Sequence, residues 1–281
     1  KKEWPRHSIG ELLAFYLIAR RRLKALHAQI QPDAIISVFT MPAGLLGAAW
    51  KQRYGVPYTV VLQGSDVPGY QPKRFALLHP MMQIVARYVW RRAAAVSAVS
   101  TPLAELARKT LPSGAFTVIP NGVDTGLFQT DEAPPHPGND TIHLITVAQL
   151  IERKGIQHLI EAIASLPVEM RTRIRADVYG SGPFAASLEK QIQEAGVQEQ
   201  IALRGLLEDK DLCAKLKAAD IFVLPTQQEG LPLALLEGMA SGLPCVTTPV
   251  GDIPKVMQGE LEALLVPPAN SDALRDKLQS L

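Results

Sequence analysis

Phe222-Val-Leu-Pro-Thr-Gln-Gln-Glu-Gly-Leu-Pro-Leu-Ala-Leu-Leu-Glu-Gly-Met-Ala-Ser-Gly242 is the stretch on which the reading of this chain turns. The apolar run Ile221 to Leu224 stops at Pro225 and reads as a buried strand. A polar loop runs on to Leu231. Pro232 then stands where the first residue of a helix tolerates a missing N–H, and Gly242 where a helix gives way to a left-handed residue. Strand, loop and helix form a unit whose loop lies at the carboxyl edge of a parallel sheet, the place where such folds bind ligands. Glu229 falls in that loop, and Glu237 about a turn and a half into the helix. The amides of Leu233 and Ala234 open the same helix and offer an anion site. Two carboxylates beside such amides suit the hydroxyls of a sugar and a ribose, with phosphate left to the amides. Paired glutamates also arise by chance, so the pair needs support from the rest of the chain.

Outward from this stretch, strand and helix patterns alternate, as in a parallel sheet covered on both faces. Toward the carboxyl end, strands are expected at 142–147, 174–179, 201–203, 221–224, 245–248 and about 263–266. Toward the amino end they are expected at 33–39, 58–62, 95–99 and 116–119. A first helix is read from Ser8 to Gln29, with capping-box spacing at Ser8 and Glu11, and a long helix from Phe75 to Ala93. Thr101-Pro102 opens another, with Thr101 as the capping hydroxyl. Residues 129–140 carry three prolines and no apolar period, and read as a linker. The organisation is thus two α/β domains, residues 1–128 and residues 141–281.

The bulk numbers exclude several classes. With 281 residues, 47 % hydrophobic and 20 % charged, the chain is that of an ordered globular protein of one large or two ordinary domains. A net charge of +2 argues against a general nucleic-acid binder. Cys213 and Cys245 lack zinc-like spacing and read as reduced core thiols, which suits the cytoplasm. The run Leu12 to Ala19 is too short to span a bilayer. Arg20, Arg21, Arg22 and Lys24 suit the end of a helix dipole and also admit a peripheral contact with the inner face of a membrane.

Six ordered pieces carry a resemblance. They are Ile119-Pro-Asn-Gly-Val-Asp124; Val147-Ala-Gln-Leu-Ile-Glu-Arg-Lys-Gly155; Val178-Tyr-Gly-Ser-Gly-Pro183; Leu203-Arg-Gly-Leu206; the Glu229–Glu237 stretch; and Pro249-Val-Gly-Asp-Ile-Pro254. Together they resemble the family-four retaining glycosyltransferases with their E-x7-E signature, over most of residues 55–280. The resemblance implies an α/β fold of two doubly wound Rossmann-like domains facing a cleft, the GT-B fold, with residues 1–128 a partial acceptor-side domain and residues 141–281 the nucleotide-sugar-binding one. It implies hexosyl transfer from a nucleotide-diphosphate sugar, a UDP-sugar favoured, to a glycan, lipid-linked or small acceptor, without metal or other cofactor. Carried over residue by residue, Glu229 is expected on the sugar hydroxyls, Lys154 and Arg153 at the diphosphate, and Glu237 on the ribose. Gly230, Leu231, Leu233, Ala234, Gly180, Gly182, Leu206 and Gln149 are expected to line the donor. Gln63, Gly64, Asp66 and Asn121 are expected on the acceptor side or the sugar.

Three departures accompany the resemblance. Gln149 stands where the family usually has an arginine, and Gln63 where many members have a histidine. The chain also opens on a helix rather than on the family's first strand and glycine-rich loop, and it stops at Leu281. It is therefore expected to be trimmed, with little or no transfer activity as it stands. Rival readings follow from single motifs. Gly180-Ser-Gly-Pro-Phe-Ala185 fits the dinucleotide fingerprint of an NAD-dependent oxidoreductase but comes in the second strand–helix unit of its domain, not the first. Asp209-Lys-Asp211 matches a metal-binding string but sits at a helix start, where acids complement the dipole. His79 and His158 lie on helical stretches and are expected to serve packing, without partners. A sugar-nucleotide-binding scaffold without chemistry, and a phosphorylase or epimerase of the same fold, complete the alternatives.

Overall fold

Each short run rich in Ile and Val becomes a strand, because parallel strands are covered on both faces and need apolar residues on both. The structure, a computed structural model, describes residues 9–70, 78–128, 141–207 and 209–281. Within these the chain divides between Pro120 and Asn121 into two compact units. The expected linker at 129–140, the cap at Ser8 and the helix start at Phe75 lie outside the described residues.

The first unit runs α1 (Ile9–Ile30), β1 (Ile35–Val38), α2 (Leu45–Tyr54), β2 (Tyr58–Leu62), α3 (His79–Arg92), β3 (Ala95–Ala98), α4 (Thr101–Thr110) and β4 (Phe116–Val118). Its described strands pair in parallel in the order β1-β2-β3-β4. Central β2 buries Tyr58, Val60 and Leu62 against Ala86, Val89 and Trp90 of α3. The Tyr58 hydroxyl donates to the Val89 carbonyl at 2.6 Å, and burial pushes its pKa up to about 12. At the edge, β1 leaves Ile36 74 % exposed. The cap of α4 is Ser100, whose side chain accepts from the Leu103 amide at 3.4 Å. Thr101 is already helical. The chain had offered two hydroxyls before Pro102, and the first takes the extended conformation a cap needs.

The second unit runs α5 (Thr125–Phe128), β5 (Ile142–Val147), α6 (Ile156–Ala164), α7 (Val168–Arg171), β6 (Ile174–Tyr179), α8 (Ala185–Glu194) and β7 (Ile201–Gly205). It continues with α9 (Asp209–Lys217), β8 (Ile221–Leu224), α10 (Leu233–Ala240), β9 (Cys245–Thr247), α11 (Ile253–Val256) and α12 (Ser271–Ser280). Its described strands lie parallel in the order β7-β6-β5-β8-β9. The chain builds outward from β5 to β7, then returns to the other side of β5 with β8. The helices after β5 and β8, α6 and α10, therefore lie on opposite faces, which makes this pair of strand ends the switch point of the sheet. All four residues of β8 are buried: Ile221 and Val223 share a core with Ile156, Leu159, Ile160 and Ile163 of α6, and Phe222 and Leu224 belong to a second one.

Two differences from the sequence reading have physical reasons. Residues 121–128, read with the first domain, join the second unit because Phe128 is buried beside Leu216, Phe222 and Leu235 and half-buried Val123 packs against the same cluster. The strand expected near 263–266 is a 3-10 turn over Gly259–Leu264 followed by a single parallel bridge from Leu265 to Thr247. Gly259, at φ +65°, turns the chain there, and only Leu265 reaches the sheet edge.

Candidate active site

The loops leaving β5, β6 and β8 lie backbone against backbone, and glycines make that possible. A Cβ added at Gly155 (φ +75°) would sit 1.8 Å from the Pro225 carbonyl oxygen at the end of β8. One at Gly180 (φ +147°) would sit 1.8 Å from the Ala148 oxygen, and one at Gly182 2.1 Å from that of Leu150. The Leu150 amide donates to the Ser181 carbonyl, and the Phe184 amide to that of Leu150, both at 3.0 Å. Gly180 and Gly182 thus seat the loop after β5 on the loop after β6. This is a use for the glycines that a dinucleotide fingerprint does not require at this strand. Gln149 lies half-buried in the first of these loops, and Leu206 is half exposed beyond the end of β7.

At the switch point between β5 and β8 the structure joins Lys154 and Glu229. The Lys154 ammonium contacts Glu229 Oε1, and the two side chains are only 14 % and 11 % exposed. The residues lie 75 apart in the chain, so only the strand order brings them together. The two loops are laced by further bonds. The Arg153 carbonyl accepts from the Gln227 amide at 2.7 Å and from the Thr226 hydroxyl at 3.1 Å. The Arg153 guanidinium donates to the Gln228 carbonyl at 3.2 Å. Arg153, expected beside Lys154 at the diphosphate, is in this geometry a strut between the loops.

The loop continues into α10. Pro232 is its N-cap, in extended conformation and with no side-chain cap, so Leu233 and Ala234 open the helix with their amides. Glu237 follows on the same helix, half-buried. The helix gives way near Gly242 (φ +76°), where the amides of Gly242 and Leu243 return to the carbonyls of Met239 and Gly238. Two supports hold Glu229 and Gly230 from outside. Gly251 (φ +63°) lies so close that a Cβ would meet the Gly230 and Glu229 oxygens at 2.3 and 2.4 Å, and the Asp252 amide donates to the Gly230 carbonyl at 2.8 Å. Asn121 Nδ2 donates to the Leu231 carbonyl at 2.9 Å. Asn121, expected on the acceptor side or the sugar, thus braces the Glu229 loop of its own unit. Among the described residues no group of three His, Cys, Asp or Glu side chains could hold a metal ion. Nor is any described helix long and apolar enough to cross a membrane.

A lysine–glutamate pair and an uncapped helix start, set at the switch point of a parallel sheet, are the parts of a site for a phosphorylated, hydroxyl-bearing ligand. Comparison with known proteins agrees on the family. A sequence model described as glycosyl transferases group 1 matches residues 129–281, and one described as glycosyltransferase family 4 matches residues 2–127. The chain belongs to the group 1 glycosyl transferases. A Bacillus subtilis protein that carries the name of a teichuronic acid biosynthesis glycosyltransferase, TuaC, is 29 % identical over 256 residues, which cover 89 % of this chain and 61 % of TuaC. The chain thus spans under two thirds of that relative. Among solved structures, the sucrose-phosphate synthase of Thermosynechococcus elongatus superposes with a TM-score of 0.80 at 22 % identity, covering 98 % of this chain and 70 % of that one. Anabaena HepE, solved with UDP and glucose, gives 0.76 at 20 %, covering 99 % and 74 %. The fold of this glycosyl transferase is accordingly GT-B.

In the first unit, Gln63, Gly64 and Asp66 follow β2. Asp66 was expected to face a ligand; its carboxylate is instead enclosed by its own unit. One oxygen accepts from the Gln63 and Gly64 amides at 3.1 and 3.0 Å, the other from the Thr40 amide at 2.9 Å and the Thr40 hydroxyl at 3.2 Å. Trp90 Nε1 in turn donates to the Thr40 hydroxyl at 3.0 Å. Burial pushes the Asp66 carboxyl up, and the backbone donors pull it back. Asp66 clasps the loops after β1 and β2 and leaves Gln63 exposed at the edge. Asp66→Asn keeps the shape but turns an NH2 toward two donors. It should cost about 2–3 kcal/mol in denaturant unfolding, the penalty for stranding buried donors. Unchanged stability would show that the clasp is dispensable.

Proposed function

We propose that the protein transfers a hexose from a nucleoside-diphosphate donor, a UDP-sugar first among them, to a hydroxyl of a glycan or lipid-linked acceptor, with retention at the anomeric carbon. The observation that supports this most is the meeting of Lys154, Glu229 and the start of α10 at the β5–β8 switch point. In this reading the diphosphate lies against the Leu233 and Ala234 amides with Lys154 beside it. The sugar hydroxyls lie on Glu229 and the ribose hydroxyls on Glu237. HepE, of the same fold, is described with UDP and glucose, which favours a uridine nucleotide.

The chemistry asks for this arrangement. As the bond from the anomeric carbon to the phosphate oxygen breaks, negative charge grows on the leaving diphosphate. Fixed donors and a lysine stabilise that charge more in the transition state than in the ground state. The acceptor oxygen forms its bond on the face the diphosphate leaves, and its proton passes to a diphosphate oxygen. Glu229, gripped by Lys154 before the donor arrives, then exchanges that partner for sugar hydroxyls while the ammonium turns to phosphate. The expected result is release of a nucleoside diphosphate from UDP-glucose, GDP-mannose or ADP-glucose by the protein from its full coding sequence, with the α-anomer appearing first by proton NMR. A β-anomer first, or no release from any of the three, would contradict the proposal.

A further inference from the structure

His158 sits one turn into α6, just beyond the Lys154 loop, and its ring is 17 % exposed. On sequence grounds it was a packing residue. In the structure both ring nitrogens are engaged. On one side Nε2 faces the amide nitrogen of Gln227 at 3.0 Å and that of Gln157 at 3.5 Å. On the other, Nδ1 faces Glu161 Oε2 and Ser271 Oγ, each at 3.3 Å, and the Ser271 hydroxyl itself donates to Glu161 Oε2. Amide nitrogens only donate, so Nε2 must accept; a carboxylate only accepts, so Nδ1 must carry the proton. With the glutamine amides turned this way, a ring protonated on Nδ1 and accepting at Nε2 matches the contacts on its two sides. The partners lie 69 and 113 residues away in the chain.

Gln227 is the third residue past the end of β8 and two before Glu229. Its own amide donates to the Arg153 carbonyl, in the loop that also presents Lys154. We propose that His158 is a positioning residue for the donor site: anchored by Glu161 of α6 and Ser271 of α12, it holds the Gln227 side chain and so sets the loop that carries Glu229 against Lys154. The effect on donor binding rests on the donor-site reading above; the effect on the loop does not. A ring with one donor and one acceptor nitrogen is what a span between a carboxylate and an amide NH2 requires. Phenylalanine keeps the volume and loses both ends of the span.

The test uses the whole protein and three variants: His158→Phe, Gln227→Leu and the pair together. Nitrogen NMR of the wild type should show His158 neutral with its proton on Nδ1. In His158→Phe the backbone amide signals of residues 226–230 should move, and UDP affinity by calorimetry should fall about tenfold. Gln227→Leu should do the same, and the double variant should be no worse than either, because both remove one link. Unmoved loop signals, or a proton on Nε2, would overturn the proposal whatever UDP does. Full additivity of the two substitutions, or an unchanged UDP affinity beside a shifted loop, would also overturn it. A wild type that binds no UDP while the loop signals still move would remove the donor reading and leave the loop-setting role in place.

Discussion

Gly155→Ala is expected to destabilise the second unit by at least ~3 kcal/mol and to abolish measurable UDP binding. Two costs combine at this position. An L residue at φ +75° pays about 1–2 kcal/mol for the left-handed conformation. The new Cβ would also stand 1.8 Å from the Pro225 carbonyl oxygen, a backbone atom with no flexible end to swing aside. Relief requires the end of β8 to retreat, and with it the segment from Thr226 to Glu229. Gly196 supplies the control. Its φ is +65° and nothing lies within 4 Å of the added Cβ, so Gly196→Ala pays the conformational cost alone. Denaturant unfolding of the two variants separates the terms. Equal losses at both positions would show that the close approach of the loops carries no weight.

Lys154→Ala is expected to lower kcat/KM for donor turnover by about 10²–10³-fold, the usual scale for removing one group that stabilises developing charge. UDP affinity should fall about tenfold, since a charge-assisted hydrogen bond contributes ~1.5–3 kcal/mol. The variant also leaves Glu229 only 11 % exposed and without its cation. Part of the loss in stability is thus a stranded carboxylate rather than lost binding. Lys154→Ala combined with Glu229→Gln removes that penalty. The double variant should regain stability while staying poor in UDP binding. Steady-state kinetics and calorimetry on the single and double variants check this, and a single variant with wild-type kcat/KM would remove Lys154 from the mechanism.

Local chemistry made much of this molecule readable from its residues alone. The Ile- and Val-rich runs and Gly242 closing α10 act within a few residues of themselves, whereas the glycines at 155, 180 and 182 meet backbone 32 to 70 residues away. The former could be read without knowing the sheet. What could not be read depended on strand order. Lys154 and Glu229 were assigned to phosphate and to sugar separately; that they pair follows only from β8 lying next to β5. Asp66 and Asn121 carried a side-chain type that suits a ligand equally well. Only the position of Thr40 shows that the Asp66 carboxylate is engaged inside the protein, and only that of Leu231 shows that Asn121 Nδ2 braces a loop. His158 gave no signal at all, because a single histidine on a helix says nothing about a glutamine 69 residues away. The strand expected near 263–266 failed for the opposite reason, since an apolar run there meets the sheet at a single residue.

The measurement closest to the central claim is a calorimetric comparison of UDP, UMP and uridine on the wild-type protein. A diphosphate seated between Lys154 and the start of α10 predicts one site, with UDP binding at least tenfold more tightly than UMP and uridine weakest of the three. Equal affinities for all three, or no binding of UDP, GDP or ADP, would contradict it.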